Sequence, residues 1–137
     1  MTIKIFIDGA ARPNPGKGGI GVCIKSENWS YNISDTCANR VTNNQSEYIA
    51  LYRALSELIN NDLTNEEVII YSDSEMLVEQ MCGRREVLKG SYINEYKRVK
   101  QLLGEHKFKS LWFTWIPREQ NDEANMLASL GVSKNGL

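Results

Sequence analysis

Hydrophobic positions change their spacing several times along the chain. Thr2 to Asp8 alternates, with Ile3, Ile5 and Ile7 on one side, which predicts a strand. The Pro13-Asn14-Pro15 run and the glycines of the Gly9 to Gly19 segment predict a turn. Ile20 to Lys25 and Asn28 to Asp35 predict two further strands, close enough to form a hairpin. The period then lengthens. Tyr48, Leu51, Tyr52, Leu55, Leu58 and Ile59 recur at helical spacing, and Thr42 with Gln45 supplies a capping box that starts this helix near residue 43. Glu67 to Ser72 reads as a buried strand, and Ser74 to Cys82 as a short helix broken by Gly83. A helix follows from Ser91 to Leu103, with Tyr92, Tyr96, Val99, Leu102 and Leu103 inward. Ser110 to Ile116 reads as another buried strand, stopped by Pro117, with Trp112 and Trp115 in the core. The last helix spans Gln120 to Leu130, with Ala124, Leu127 and Ala128 inward and Gly131 closing it.

The order is therefore β-β-β-α-β-α-α-β-α. Short turns make the first three strands antiparallel, and helical connections make the last two parallel to the first. The expected class is α/β: one mixed five-stranded sheet with helices packed on its faces. A chain of 137 residues suits a single domain, 1–137. With 16 basic and 17 acidic side chains, the net charge of -1 excludes a protein held on nucleic acid by bulk positive charge, while leaving local basic patches open. Cys23, Cys37 and Cys82 form no C-x-x-C pair, so reduced thiols in a cytoplasmic setting are expected. No apolar run approaches the ~20 residues of a membrane helix, so no membrane partner is expected.

Gly16 to Gly21 matches G-x-G-x-x-G, yet a hairpin follows where a dinucleotide fingerprint needs a helix, so nucleotide binding there is rejected. The acids say more. Asp8 ends the first predicted strand, Asp73 follows the fourth, and Glu47 lies in the first turn of the long helix. If strands one and four are neighbours, Asp8 and Asp73 converge outside the strand ends, where ligands gather in open sheets. Three crowded carboxylates repel unless a cation neutralises them, and oxygen-only ligands suit Mg²⁺ or Mn²⁺. Spacing alone leaves this reading level with that of separate surface acids.

Four ordered segments then carry a resemblance: Ile5-Phe6-Ile7-Asp8-Gly9-Ala10 with Asn14-Pro15-Gly16, Thr42 to Tyr48, Tyr71-Ser72-Asp73-Ser74, and Trp115 to Asn121 with Ala124 and Leu127-Ala128. In order and spacing the chain resembles type 1 ribonuclease H over nearly its whole length. The resemblance implies the ribonuclease H-like fold with sheet order 3-2-1-4-5. It also implies endonucleolytic hydrolysis of the RNA strand of an RNA/DNA hybrid by two metal ions, leaving 3′-hydroxyl and 5′-phosphate ends. Asp8, Glu47 and Asp73 would be the catalytic metal ligands. Asn14, Asn43 and Gln45 match positions that read the minor groove and the RNA 2′-hydroxyls. Thr42 and Lys25 match a pocket for a DNA-strand phosphate. The partner is the hybrid, with double-stranded RNA left open, and the protein is expected to be a monomer.

The departures from the family pattern are specific. Where the family has a fourth carboxylate, this chain has Asn125, an uncharged oxygen ligand that implies weaker metal binding and Mn²⁺ favoured over Mg²⁺. Asp122 is a substitute ligand to be considered. The histidine many members carry before the last helix is absent; Arg118 stands there, as a contact to the scissile phosphate or as a surface arginine. His106 reads as structural. Arg84, Arg85, Lys89, Lys97, Arg98 and Lys100 form a basic cluster, but the connection from Gly83 to Gly90 leaves no space for a basic protrusion. Three classes therefore stand: the endonuclease, a hybrid-binding module with negligible turnover because of Asn125, and a domain that kept only the fold.

Overall fold

A computed structural model describes residues 1–87 and 89–134; residue 88, in the predicted short connection, and residues 135–137 lie outside the described residues. The strands are β1 (Thr2–Arg12), β2 (Gly16–Lys25), β3 (Ser30–Val41), β4 (Glu67–Ser72) and β5 (Ser110–Trp115). The helices are α1 (Asn43–Asn60), α2 (Glu75–Met81), α3 (Ile93–Glu105) and α4 (Asp122–Ser133), the last preceded by a 3₁₀ turn at Arg118–Gln120. The sheet runs β3-β2-β1-β4-β5, with the first three strands antiparallel and β1, β4 and β5 parallel. Fold and strand order are those expected.

Ile3, Ile5 and Ile7 of β1 pack with Val68 and Ile70 of β4 against the α1 face formed by Tyr48, Leu51, Leu55 and Leu58, and all nine are fully buried. The α1 start is the one its sequence announces. Thr42 Oγ1 accepts from the Gln45 amide at 3.1 Å, while Gln45 Oε1 accepts from the Thr42 amide at 2.9 Å. Under α1, the Tyr48 hydroxyl donates to Gln80 Oε1 at 2.6 Å and Gln80 Nε2 donates to the Tyr92 hydroxyl at 2.9 Å, so these buried polar groups satisfy one another.

Three expectations need correction. The Gly9 to Gly19 segment is mostly strand: β1 and β2 pair from Lys4↔Lys25 to Arg12↔Lys17, leaving only Pro13 to Pro15 as the turn. Gly131 does not close the last helix, which continues to Ser133. Its missing Cβ lets α4 lie directly on the Asp35 backbone of β3, just as Gly19 and Gly21 leave room on β2 for Ala124, Ala128 and Val132. The glycine repeat is thus a packing seam that brings α4, and Asn125 with it, close to the sheet. Finally, β5 is a half-exposed edge strand. Leu111 and Phe113 take its core-facing side, so alternation puts Trp112 on the other face, 61% exposed; Trp115, at the strand end, is 47% exposed. Neither tryptophan is in the core.

Among the described residues between α2 and α3 there is no helix, in keeping with the expected lack of a basic protrusion. Lys97, Arg98 and Lys100 lie on the exposed face of α3, and Arg85 is paired with Glu79 at 2.7 Å.

Candidate active site

Three elements that meet only in the folded chain deliver the acids. The parallel β1–β4 ladder ends at the Ile7↔Ser72 pair, and Asp8 and Asp73 are the next residues on each strand. Glu47 comes from the first turns of α1, which packs across the same strand ends. One carboxylate oxygen from each of Asp8, Glu47 and Asp73 lies within 4.8 Å of the others. Gly9 makes this approach possible. A Cβ there would overlap the Ser46–Glu47 backbone. Gly9→Ala is therefore expected to push the α1 start off β1, costing about 3 kcal/mol and lowering any Glu47-dependent activity in the protein that still folds. Denaturant melting and a rate measurement on the same preparation check both effects.

Burial makes this cluster electrostatically unfavourable on its own. Asp8 is 5% exposed and Glu47 8%. Desolvation raises the Asp8 pKa to about 6; hydrogen bonding with Glu47 pulls it down part of the way, the Asp73 charge adds to the rise, and Arg118 opposes it. Glu47 is raised well above the ordinary range, first by burial and then by Asp8. Burial also raises Asp73, against the pull of Asn121, Arg118 and Asn125. Among the described residues, the buried side-chain oxygens without a hydrogen-bond partner are Glu47 Oε2, Asp73 Oδ2, Asn121 Oδ1 and Asn125 Oδ1. Acceptors concentrated this way lack a donor or a cation, and the all-oxygen set fits a hard divalent ion.

The other expected site residues divide. Asn125, in the first turn of α4, helps hold down the Asp73 pKa and donates through Nδ2 to the Arg118 carbonyl at 3.3 Å. Arg118 lines the cleft of about 230 Å³ that also holds Asp8, Glu47, Asp73 and Asn43. Asn14 Oδ1 accepts from the Asn43 amide at 3.0 Å, and Asn43 Oδ1 accepts from the Ala11 amide at 2.8 Å. These two amides brace the β1–β2 turn against α1 and keep their Nδ2 groups for other partners. Gln45 is committed at both ends, to the Thr42 amide and, through Nε2, to Glu95 at 3.4 Å.

Lys25 and Thr42 do not share a pocket. Gly16 pairs with Val41 at one end of the β2–β3 ladder and Lys25 with Ser30 at the other, so nine positions along β2, roughly 30 Å, separate the two sites. Lys25 is bound instead to Glu123 at 2.6 Å, while Thr42 Oγ1 meets Ser91 Oγ at 2.8 Å. The basic side chain nearest Thr42 in sequence is Arg40, exposed at the end of β3. Asp122 lines a different pocket, with Phe6 and Lys25, and is not among the clustered acids. His106 is exposed at the end of α3.

Sequence reasoning passed over Asn121. It is 1% exposed, and its Nδ2 donates to the Ile7 carbonyl at 2.9 Å. The available signal was its place one helical turn before Asn125.

A family model described as reverse transcriptase-like matches residues 6–131. The crystal structure of LC11-RNase H1 in complex with RNA/DNA hybrid superposes with a TM-score of 0.85 at 35% identity, covering 96% of each chain. The chain belongs to the type 1 ribonuclease H family. RNase H1 from the halophilic archaeon Halobacterium salinarum superposes at 0.83 with 28% identity, covering 97% of this chain and 98% of that one. A bifunctional protein of Mycobacterium tuberculosis, Rv2228c, is 30% identical over 131 residues, which is 94% of this chain but 35% of the mycobacterial protein. This ribonuclease H chain therefore spans about a third of the length of its mycobacterial relatives. Divalent metal ions serve this family generally, and the acidic cluster is of the kind that binds them.

Proposed function

We propose that the protein is a metal-dependent endonuclease that hydrolyses the RNA strand of RNA/DNA hybrids to 3′-hydroxyl and 5′-phosphate ends. One observation carries the reading: Asp8, Glu47 and Asp73 converge within 4.8 Å with buried oxygens left unpartnered beside them. Together with Asn125 these residues would hold two Mg²⁺ or Mn²⁺ ions. Bound there, such ions lower the pKa of the attacking water and neutralise charge on the departing 3′-oxygen. Asn125 brings an oxygen but no charge, so three negative groups serve where four would bind more tightly.

The chain's own residues orient the substrate. Arg118 opposes the carboxylate charge and faces the cleft, where it would neutralise the scissile phosphate. Asn14 and Asn43, braced through their carbonyl oxygens, offer Nδ2 donors to the minor groove, where the 2′-hydroxyl distinguishes RNA from DNA. Gln45 supports this edge by fixing Thr42, and Thr42 would accept a DNA-strand phosphate without help from Lys25. We take residues 1–137 to form one domain that works as a monomer in the cytoplasm, where Cys23, Cys37 and Cys82, all free in the structure, would remain reduced.

The deciding measurement uses a hybrid labelled on the RNA strand, with Mg²⁺ and Mn²⁺ in parallel. Internal cuts ending in 3′-hydroxyl groups, faster in Mn²⁺ and abolished by chelator, are expected. Tight binding without cleavage in either metal would overturn the reading in favour of a binding module. A parallel double-stranded RNA substrate defines the range of activity.

A further inference from the structure

We infer that Asn121 is a positioning residue that locks the Arg118 turn and the Asn125 helix onto the end of the β1–β4 ladder, where Asp8 and Asp73 follow. The inference rests on the reading of those residues as the active site. Its basis is a set of contacts that all pass through one buried side chain and its own backbone. The Asn121 amide donates to the Arg118 carbonyl at 2.9 Å, and its carbonyl accepts from the Asn125 amide at 3.0 Å. Its Nδ2 donates to the carbonyl of Ile7, the residue before Asp8, at 2.9 Å. The same amide group lies beside the Asp73 carboxyl.

The location explains the need. The β1–β4 ladder stops at Ile7↔Ser72, so Asp8 and Asp73 sit where no further strand pairing sets their separation. A planar amide with two N–H groups suits that gap, because it can hold a backbone carbonyl of one strand and the carboxylate following the other. An apolar side chain would fill the space and hold neither. Burial to 1% exposure also shields these bonds from exchange with water. Asn121 touches no reacting atom; it acts through Asp8, Asp73, Arg118 and Asn125.

The test compares Asn121→Leu, which keeps the bulk and loses both donors, with Asn121→Ser, which keeps a hydroxyl donor. For Asn121→Leu, kcat on the hybrid is expected to fall at least tenfold, with KM within twofold of the parent. Asn121→Ser is expected to recover part of that loss despite its smaller volume. Amide hydrogen exchange of the metal-free proteins is expected to quicken across residues 118–125 and to stay unchanged in the buried parts of β1 and α1. A packing role alone predicts the opposite order, with the leucine variant the more active. That order, a loss confined to KM, or unchanged exchange across residues 118–125 would overturn the inference. If the leucine variant does not fold, the serine variant carries the same comparison. A parent chain that fails to cleave would remove the proposed function, whereas the exchange result still decides whether Asn121 locks these segments.

Discussion

Asp8→Asn is expected to abolish cleavage and, in the same protein without metal, to raise the melting temperature. Both effects follow from one burial. Asp8 is the most buried acid of the cluster, and its folded pKa of about 6 lies above the unfolded value of 3.8. Between these values the folded state binds more protons than the unfolded state, so metal-free stability falls as pH rises from about 4 to 6 and then levels off. At pH 7 the full penalty is present, and the size of the shift puts it at about 3 kcal/mol. Asparagine removes the charge while keeping the shape, so a gain of several degrees at pH 7 is expected, shrinking to little or none near pH 4. Divalent ions should raise the melting temperature of the parent by binding only its folded state, and much less in the variant. Cleavage should drop by roughly 10³-fold or more, since several kcal/mol of charge stabilisation depend on this ligand. A variant that melts below the parent at pH 7 without metal, or that cleaves at the parent's rate, would contradict the assignment of Asp8.

Asn125→Asp is the complementary change, and a gain of activity is expected. Asn125 Oδ1 is buried without a partner, and the group lies by the Asp73 carboxyl. A carboxylate there gives the cation site a fourth negative charge at similar volume; the 3.3 Å contact from Nδ2 to the Arg118 carbonyl and the amide's support of the Asp73 charge are lost. We expect cleavage at limiting Mg²⁺ to rise about tenfold or more, corresponding to about 1.4 kcal/mol, with a smaller gain in Mn²⁺ and a lower metal concentration for half-maximal rate. Without metal the variant should be less stable than the parent, because a fourth anion joins three whose pKa values are already raised. Metal titrations of rate and of melting temperature read the two effects separately. If the added charge changes neither the metal requirement nor the metal-free stability, Asn125 does not face the ions.

Features governed by short-range chemistry were legible in the sequence. The Thr42–Gln45 cap starts α1 where its residue types demand, and the isoleucine alternation of β1 holds. Asp8 and Asp73 sit in the cleft because each directly follows the last pair of the parallel β1–β4 ladder, although β1 itself runs on past Asp8 to Arg12. Glu47 was legible as a first-turn residue of α1, but its place among the acids came with the resemblance to type 1 ribonuclease H. Strand directions followed from connection lengths, whereas the order of the strands came with the resemblance to type 1 ribonuclease H.

What depends on neighbours had to come from the tertiary structure. Trp112 and Trp115 read as core because they are large and apolar, yet β5 is the edge strand of the sheet, Trp112 is on its face away from Leu111 and Phe113, and Trp115 is at its end. Lys25 and Thr42 match one family pocket on paper, but antiparallel register places them at opposite ends of β2. Gly131 carries the signature of a helix end, and only the close approach to Asp35 explains why the helix continues through it. Asn121 is the clearest case: its place one turn before Asn125 marks it only weakly, because its contacts run to Ile7, 114 positions away in the chain, and to the side of Asp73. The amino-acid order by itself determined which elements form and where along them the acids fall. Folding decided which side chains share a face, which are covered and which amide bridges the gap, because those outcomes depend on distances between residues that the chain keeps far apart.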